Sequence, residues 1–432
     1  MINRLSASQR SIELILTAFV ALFLCLNSAA LAIAGSVASR AQLAFVPLVW
    51  LAVIGLLLWL LHRFRPKHDP YIVPIFALLT GWGLLLQNRL APNFTNRQLM
   101  WFALGAAILV SLAILPPNLR FLRRYRYSIL IFGIVLLLIT LFFGVNPAGF
   151  AATYWLPVPL LNAYFQPSEL LKLLMVFFFA SYFADRGRLI AANQQQVREL
   201  LPYLAPLLLM WGFCLILLVW QRDLGAAAIF FVLFLAMLYV ATGSRRYVLL
   251  GALLLLIAGL LGYRLYDVIT LRVDAWLNPW PDFDNRAYQI VQSLYALAAG
   301  GISGQGIAQG FPDIVPVVHS DFVFAAIGEE WGMIGTLTVV LCFAVLAQRG
   351  MRIALLANSA FRMYLAVGMT MLLSMQSILI MGGVTKLLPL TGVTLPFVSY
   401  GGSSLLMASC MLGLLLWLDS AEEGKGRGRN GE

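Results

Sequence analysis

Charge is what this sequence has least of. Only 11% of its 432 residues are Asp, Glu, Lys or Arg, against about a quarter in an ordinary soluble chain, and that excludes a soluble globular protein of this length. Cysteine is scarce too. Cys25, Cys214, Cys342 and Cys410 each sit inside an apolar run, which excludes a disulfide framework and a thiolate metal site. The three histidines are scattered without ligand spacing, so no metal centre is expected. No internal repeat is visible beyond the alternation of apolar runs, which argues against a transporter built from inverted halves.

What is present in their place is hydrocarbon. Hydrophobic residues make up 61% of the chain and the mean hydropathy is +0.88. Apolar runs of membrane-spanning length recur about twelve times, at roughly 12–34, 43–61, 71–86, 99–115, 128–143, 169–184, 203–220, 224–241, 247–266, 322–347, 363–381 and 399–418. The third is short. The predicted fold is an all-α polytopic helical bundle in a membrane. The first run follows Arg4 and Arg10 and contains the signal-like "NSAALA", but it is longer than a signal-peptide core and is predicted to be retained.

The net charge of +11 is explained by its distribution. With the N-terminus in the cytoplasm, most lysines and arginines fall in inside loops, among them Arg63, Arg65, Lys67, Arg123, Arg124, Arg126, Arg245, Arg246, Arg349 and Arg352. Basic inside loops set topology, so both termini are predicted cytoplasmic and nucleic acid is not a partner. The acids collect on the other side: Glu169, Asp223, Asp267, Asp274, Asp282, Asp284, Asp313, Asp321, Glu329 and Glu330. Acidic residues contribute little to topology, so their clustering points to a site.

Several polar islands could carry it. In "FQPSELLK", Glu169 and Lys172 share a helix face and enter the membrane as a pair or in water. A structural ion pair and a cavity wall fit them equally. Asp223 in "QRDLG" is expected to be a helix N-cap. In "HSDFVFAAIGEEWG", His319 and Asp321 open a span, and Glu329 and Glu330 lie two turns deeper, where a structural network with a cation is expected. "GGVTKLLPLTGVTLPFVSYGGSS" is a broken segment at membrane depth, tolerated only in protein or along a cavity. Its Lys386 is a cation for an anionic ligand or a partner for Glu329 or Glu330. The longest connection, 267–321, holds "WLNPWPDFDNRAYQIVQS". There Asp282 and Asp284 sit among interfacial rings, and an aspartate so placed is a candidate general base. A surface helix is predicted over 286–299, with Tyr288, Gln289, Gln292 and Ser293 on one face and Ile290, Val291, Leu294 and Leu297 on the other.

Taken together and in order, "FQPSELLK", "DLG", "NPWPD…YQIVQSLYAL", "GGISGQG", "HSDFVFAAIGEEWG" and "LPLTGVTLPFVSYGGSSLL" resemble the SEDS proteins (shape, elongation, division and sporulation), the FtsW, RodA and SpoVE group. The resemblance covers roughly 150–420. It implies a ten-span core, here with two further helices in front: residues 1–98 as N-terminal helices including the extra pair, 99–419 as the core with outer loop 267–321, and 420–432 as a cytoplasmic tail. It implies a peptidoglycan glycosyltransferase of the bacterial cytoplasmic membrane, polymerising lipid II on the outer face with release of undecaprenyl diphosphate. The expected partners are membrane lipid, the undecaprenyl-linked glycan and a class B penicillin-binding protein.

The same resemblance makes Asp282 the essential aspartate. Lys172, Arg286 and Lys386 become cations for the diphosphate, and Glu169, Gln289, Gln292, His319, Asp321, Ser399 and Tyr400 further substrate-binding candidates. Asp223, Glu329 and Glu330 are assigned to a cavity network. A divalent cation, Mg or Mn, is compatible with a diphosphate leaving group. The chain departs from the family pattern at Tyr154, at Phe283, in "VPVV" before His319 and near Ile380. A lipid-linked-sugar flippase and a non-catalytic scaffold use the same motifs without a base.

Overall fold

A computed structural model of the chain describes residues 2–34, 40–115, 119–146, 154–158, 163–192 and 197–423. Among them the first half forms α1 (Ile2–Ile33), α2 (Arg40–Phe64), α3 (Ile72–Leu90), α4 (Pro92–Ile114), α5 (Leu119–Arg124), α6 (Arg126–Phe143), the strands β1 (Leu156–Val158) and β2 (Ala163–Phe165), and α7 (Pro167–Ala192). There follow α8 (Val197–Trp220), α9 (Leu224–Thr242), α10 (Arg245–Leu265), α11 (Asp267–Leu277), α12 (Tyr288–Gly300), α13 (Val323–Leu355), α14 (Ala360–Val384) and α15 (Gly402–Glu423). Eleven of these helices are long and apolar enough to cross a membrane. The twelfth expected span, α3, ends in Gln87, Asn88 and Arg89 and is almost wholly buried. A helix enclosed by protein needs less apolar surface, and its 19 residues still reach about 28 Å at 1.5 Å per residue. The chain is a polytopic all-α membrane protein. On α10, Leu249, Leu253, Leu256 and Leu260 are all exposed, a surface that only lipid tolerates.

The helices sort into two compact units. One comprises Met1–Leu115, Tyr266–Arg349 and Gln376–Gly424; the other comprises Pro116–Leu265 and Gly350–Met375. These units follow packing, so their edges do not coincide with the sequence-based division at 98. In the first unit α4 packs along α15, and α1, α2 and α3 pack on one another. Lipid supplies no hydrophobic drive between helices, so close backbone approach must do the work. A Cβ at Gly413 would lie 2.6 Å from the Leu109 carbonyl oxygen, and one at Gly105 would lie 2.8 Å from Ser409 Oγ. In the second unit α7 packs against α6, α8 and α9. Asp185 of α7 takes the guanidinium groups of both Arg123 and Arg126.

The connection 266–322 is built on the first unit and is more structured than the sequence suggested. α11 was not expected: Val268, Ile269, Thr270 and Val273 are poor helix formers, and no residue of it is buried. The surface helix predicted over 286–299 is α12, with Ile290, Val291, Ser293, Ala296 and Gly300 buried. Ser293 therefore belongs to the inner face rather than the polar one. Its hydroxyl donates to Ile290 O at 2.8 Å and Val384 O at 3.3 Å, which satisfies it where the periodicity alone would place it outside.

The glycine-rich run after α12 docks on a break in α13. Gly332 has φ 63° and ψ −157°, which interrupts the helical ladder. The run replaces the lost bonds: Gln305 N donates to Glu329 O at 2.9 Å, Gly306 N to Glu330 O at 3.1 Å, and Met333 N to Gly301 O at 2.9 Å. Backbone groups at this depth must be paired within the protein. The approach leaves no room for a side chain, since a Cβ at Gly300 would sit 1.8 Å from Gly328 O. Gly300→Ala is expected to destabilise the chain by about 1–3 kcal/mol or more through forced separation. Gly259→Ala, in α10 with nothing within 4 Å, should be neutral or stabilising by about 1 kcal/mol. Thermal unfolding of the two variants in detergent checks the contrast.

Candidate active site

Asp282 ends a single 3-10 turn, Trp280–Asp282, that follows α11 through Asn278 and Pro279. Proline at 279 and 281 favours that turn. Two backbone N–H groups, of Asn285 and Ala287, close onto Asp282 O at 3.2 Å each. The turn is thus held by its main chain and the carboxylate is left to its surroundings. Asp282 lines a cavity of about 340 Å³ with Asp274, Asn278, Arg286 and Ala287.

A second cavity of about 160 Å³ shares Leu271, Ala275 and Arg286 with the first. Its wall adds Arg272, Trp276, Gln289, Asp321, Lys386 and Gly392. The wall is built from α11, the start of α12 with Arg286 just before it, Asp321 ahead of α13, and the end of α14 with the broken segment after it. The fit between them is made by polar bonds. Arg272 Nη1 donates to Thr391 O at 3.3 Å, Trp276 Nε1 to Lys386 O at 3.2 Å, and Lys386 Nζ to Leu277 O at 3.4 Å. Lys386 itself has φ 59°, a left-handed conformation uncommon for a residue with a side chain. Burial pushes the Asp321 carboxyl up from its ordinary value, against the Ser320 hydroxyl at 2.8 Å and the charge of Arg272, which favour the anion. Three cations and one carboxylate therefore surround this space, an arrangement suited to an anion with several oxygens.

The remaining candidates are placed as follows. His319 stacks with Phe94 at 5.8 Å and faces Tyr400 at 5.9 Å, and burial lowers its pKa. Tyr400 N donates to His319 O at 2.9 Å. Ser399 is buried, accepts from Leu395 N at 2.9 Å and donates to Ser320 O at 2.5 Å, so its hydroxyl braces the loop. Gln292 is half-buried on α12. Glu330 pairs with Arg89 at 2.8 Å, and Glu329 accepts from Phe311 N at 2.7 Å. Lys386 is thus not their partner, because Arg89 closes α3 at the same place. In the second unit Lys172 Nζ bonds Glu169 Oε1 at 2.8 Å, with both side chains buried. Asp223 caps α9 through Ala226 N at 3.1 Å and accepts from Ser168 Oγ at 3.0 Å.

Two features escaped the sequence. Arg272 shares a helix face with Trp276 at i, i+4, a spacing visible only once α11 is known to be a helix. The second concerns metals, which the scattered histidines excluded. Glu13, His62 and His68 place one ligand atom each within 4.8 Å of one another. They come from α1, the end of α2 and the connection after it, far apart in the chain.

The fold and the site define a polytopic membrane protein whose outlying loop and broken penultimate segment together build a pocket lined by Arg272, Arg286 and Lys386 beside an aspartate. The chain matches the FtsW/RodA/SpoVE family, described as cell cycle protein, over residues 72–424. It belongs to that family. Ten of its long helices, from α3 onward, fall in the matched region, and α1 and α2 precede it. The peptidoglycan glycosyltransferase RodA of Mycobacterium tuberculosis (strain ATCC 25618 / H37Rv) is 36% identical over 387 residues, covering 85% of this chain and 81% of that one. The probable peptidoglycan glycosyltransferase FtsW of Geobacter metallireducens is 36% identical over 337 residues, covering 77% and 86%. A chain in a solved structure described as "structural coordination of polymerization and crosslinking by a peptidoglycan synthase complex" superimposes with TM-score 0.69 at 27% identity, covering 82% of this chain and 98% of that one. The crystal structure of RodA from Thermus thermophilus gives TM-score 0.59 at 25% identity, with the same coverage.

Proposed function

We propose that this chain is a peptidoglycan glycosyltransferase that polymerises lipid II at the outer face of the bacterial cytoplasmic membrane. One observation carries the mechanism: the Asp282 cavity and the cationic cavity share Arg286. Asp282 takes the proton of the acceptor sugar hydroxyl as that oxygen bonds to the anomeric carbon of the lipid-linked donor. The bond from that carbon to the diphosphate oxygen breaks, configuration inverts, and undecaprenyl diphosphate leaves with the electron pair. Arg272, Arg286 and Lys386 meet the charge developing on the leaving group. Gln289, with an exposed amide on the same wall, is suited to sugar hydroxyls.

The order of helices supports a topology with both termini in the cytoplasm and 266–322 outside, in agreement with the basic loops. The relatives' names support the substrate, and the synthase complex supports a class B penicillin-binding protein as partner.

The test is lipid II polymerisation by the purified full chain, with and without the co-expressed transpeptidase, read as glycan strands on a gel. Strands support the reading. Their absence from a folded chain with its partner would turn it toward a flippase or a scaffold. Within the same assay, Lys386→Ala is expected to lower kcat/KM about 10-fold or more through loss of one charge-assisted bond to the diphosphate. An unchanged value would remove Lys386 from the anion pocket.

A further inference from the structure

The buried cluster of Glu13, His62 and His68 lies outside the family match, which begins at Ile72. Glu13 Oε2 is 2.7 Å from His62 Nε2 and Glu13 Oε1 is 2.8 Å from His68 Nε2. All three side chains are at most 9% exposed, and the two rings stack at 5.7 Å. The tautomer of His68 is decided by its other nitrogen. Nδ1 lies 2.7 Å from Arg65 O, and a carbonyl accepts only from an N–H. Neutral His68 therefore presents the Nε2 lone pair to a carboxylate oxygen. Two acceptors at that distance need a cation shared between them, either a proton or a metal ion.

We propose that Glu13, His62 and His68 bind a divalent transition-metal ion of the zinc class, which clamps the N-terminal helix pair to the entry of α3. The donor set is two imidazoles and one carboxylate, which suits zinc; the hard cations magnesium and calcium require more oxygen ligands than are present. The Nδ1–H of His68 held by a backbone carbonyl is the outer-shell bond that metal-binding histidines make. Zinc–ligand bonds of about 2.0–2.2 Å place tetrahedral ligands about 3.3 Å apart, so the two contacts open by about half an ångström to admit the ion. Glu13 supplies one negative charge to the ion, and the neighbouring charged groups are committed elsewhere: Asp69 is held by Arg349 at 3.5 Å and Arg65 donates to Ile114 O at 3.1 Å. The reach of the ligand set explains its use: α1, the last turn of α2 and the 65–71 connection are joined at one point, at the end of the bundle that the proposed topology places in the cytoplasm.

The experiment uses the untagged full chain in detergent, stripped with EDTA and desalted. Zinc is added in competition with a chromogenic chelator, and retained metal is counted by mass spectrometry. One zinc per chain is expected, with affinity falling about 10-fold or more in Glu13→Gln and in His68→Gln. Cobalt(II) substitution of the wild type gives a readout that needs no variant, an intense visible absorption of a four-coordinate ion. Less than one zinc per chain, equal affinity in the variants, or the weak spectrum of six-coordinate cobalt would each overturn the metal site and leave a proton as the shared cation.

Discussion

Replacing Asp282 by asparagine is expected to lower the rate of lipid II polymerisation by about 10²–10⁴-fold, the range that a positioned general base supplies. The substitution is nearly isosteric and leaves the backbone in place, because the 3-10 turn is closed by Asp282 N donating to Pro279 O at 3.4 Å and the next turn by the Asp282 carbonyl, to which Asn285 N and Ala287 N donate at 3.2 Å. The amide has no site for the acceptor proton. Thermal unfolding should therefore match the wild type while strand formation is lost. Substrate affinity should change little, since the proposed contacts to the diphosphate are Arg272, Arg286 and Lys386 rather than Asp282. Arg286→Ala differs in kind: it removes a group common to both cavities and should impair binding and turnover together. Normal strand formation by Asp282→Asn, beside an active wild type, would remove the aspartate from the chemistry without touching the reaction.

Much of the fold was readable because hydropathy is a one-dimensional signal. The long apolar runs, the basic loops and the break at "GGVTKLLPL" depend on neighbours in sequence. The N-cap role of Asp223 was readable for the same reason, since capping acts within one turn. What failed depends on distance in the chain. Ser293 lies on the polar stripe by periodicity, yet the carbonyl of Val384, more than ninety residues on, lets it sit inside. The sequence left Lys386 either as a cation for an anionic ligand or as a partner for Glu329 or Glu330, and the second alternative falls because α3 brings Arg89 to Glu330. α11 carries β-branched residues and a helix there rests on tertiary context, so Arg272 could not be assigned a face. Glu13, His62 and His68 have no local spacing, and only packing of α1 on α2 and α3 brings them together. Asp282 itself was singled out by the family resemblance; composition alone offered several aspartates in the same loop.

The largest effect on stability is expected at Arg89. Its Nε bonds Glu330 Oε1 at 2.8 Å, and its Nη2 donates to Gly310 O at 2.8 Å. The same carboxylate oxygen accepts from Ala308 N at 3.0 Å. One guanidinium thus fastens the end of α3, the glycine-rich run and the broken α13 to each other. Glu330 has no exposed side-chain surface and Arg89 has 11%. Removing one partner of such a pair leaves a charge without compensation and costs about 3–5 kcal/mol, whereas neutralising both costs much less. Arg89→Met should therefore lower the unfolding temperature sharply, and Arg89→Met combined with Glu330→Gln should recover most of the loss. Arg89→Lys should fall between, because the charge remains but the two-pronged geometry does not. The effect should also reach the site: the glycine-rich run ends α12, and α12 carries Gln289 into the cationic cavity. Partial release of the run should raise KM in the single variant and restore it in the double one. A double variant no more stable than Arg89→Met would mean that the guanidinium acts through Gly310 O alone, and that the paired charges are not what holds the run to α13.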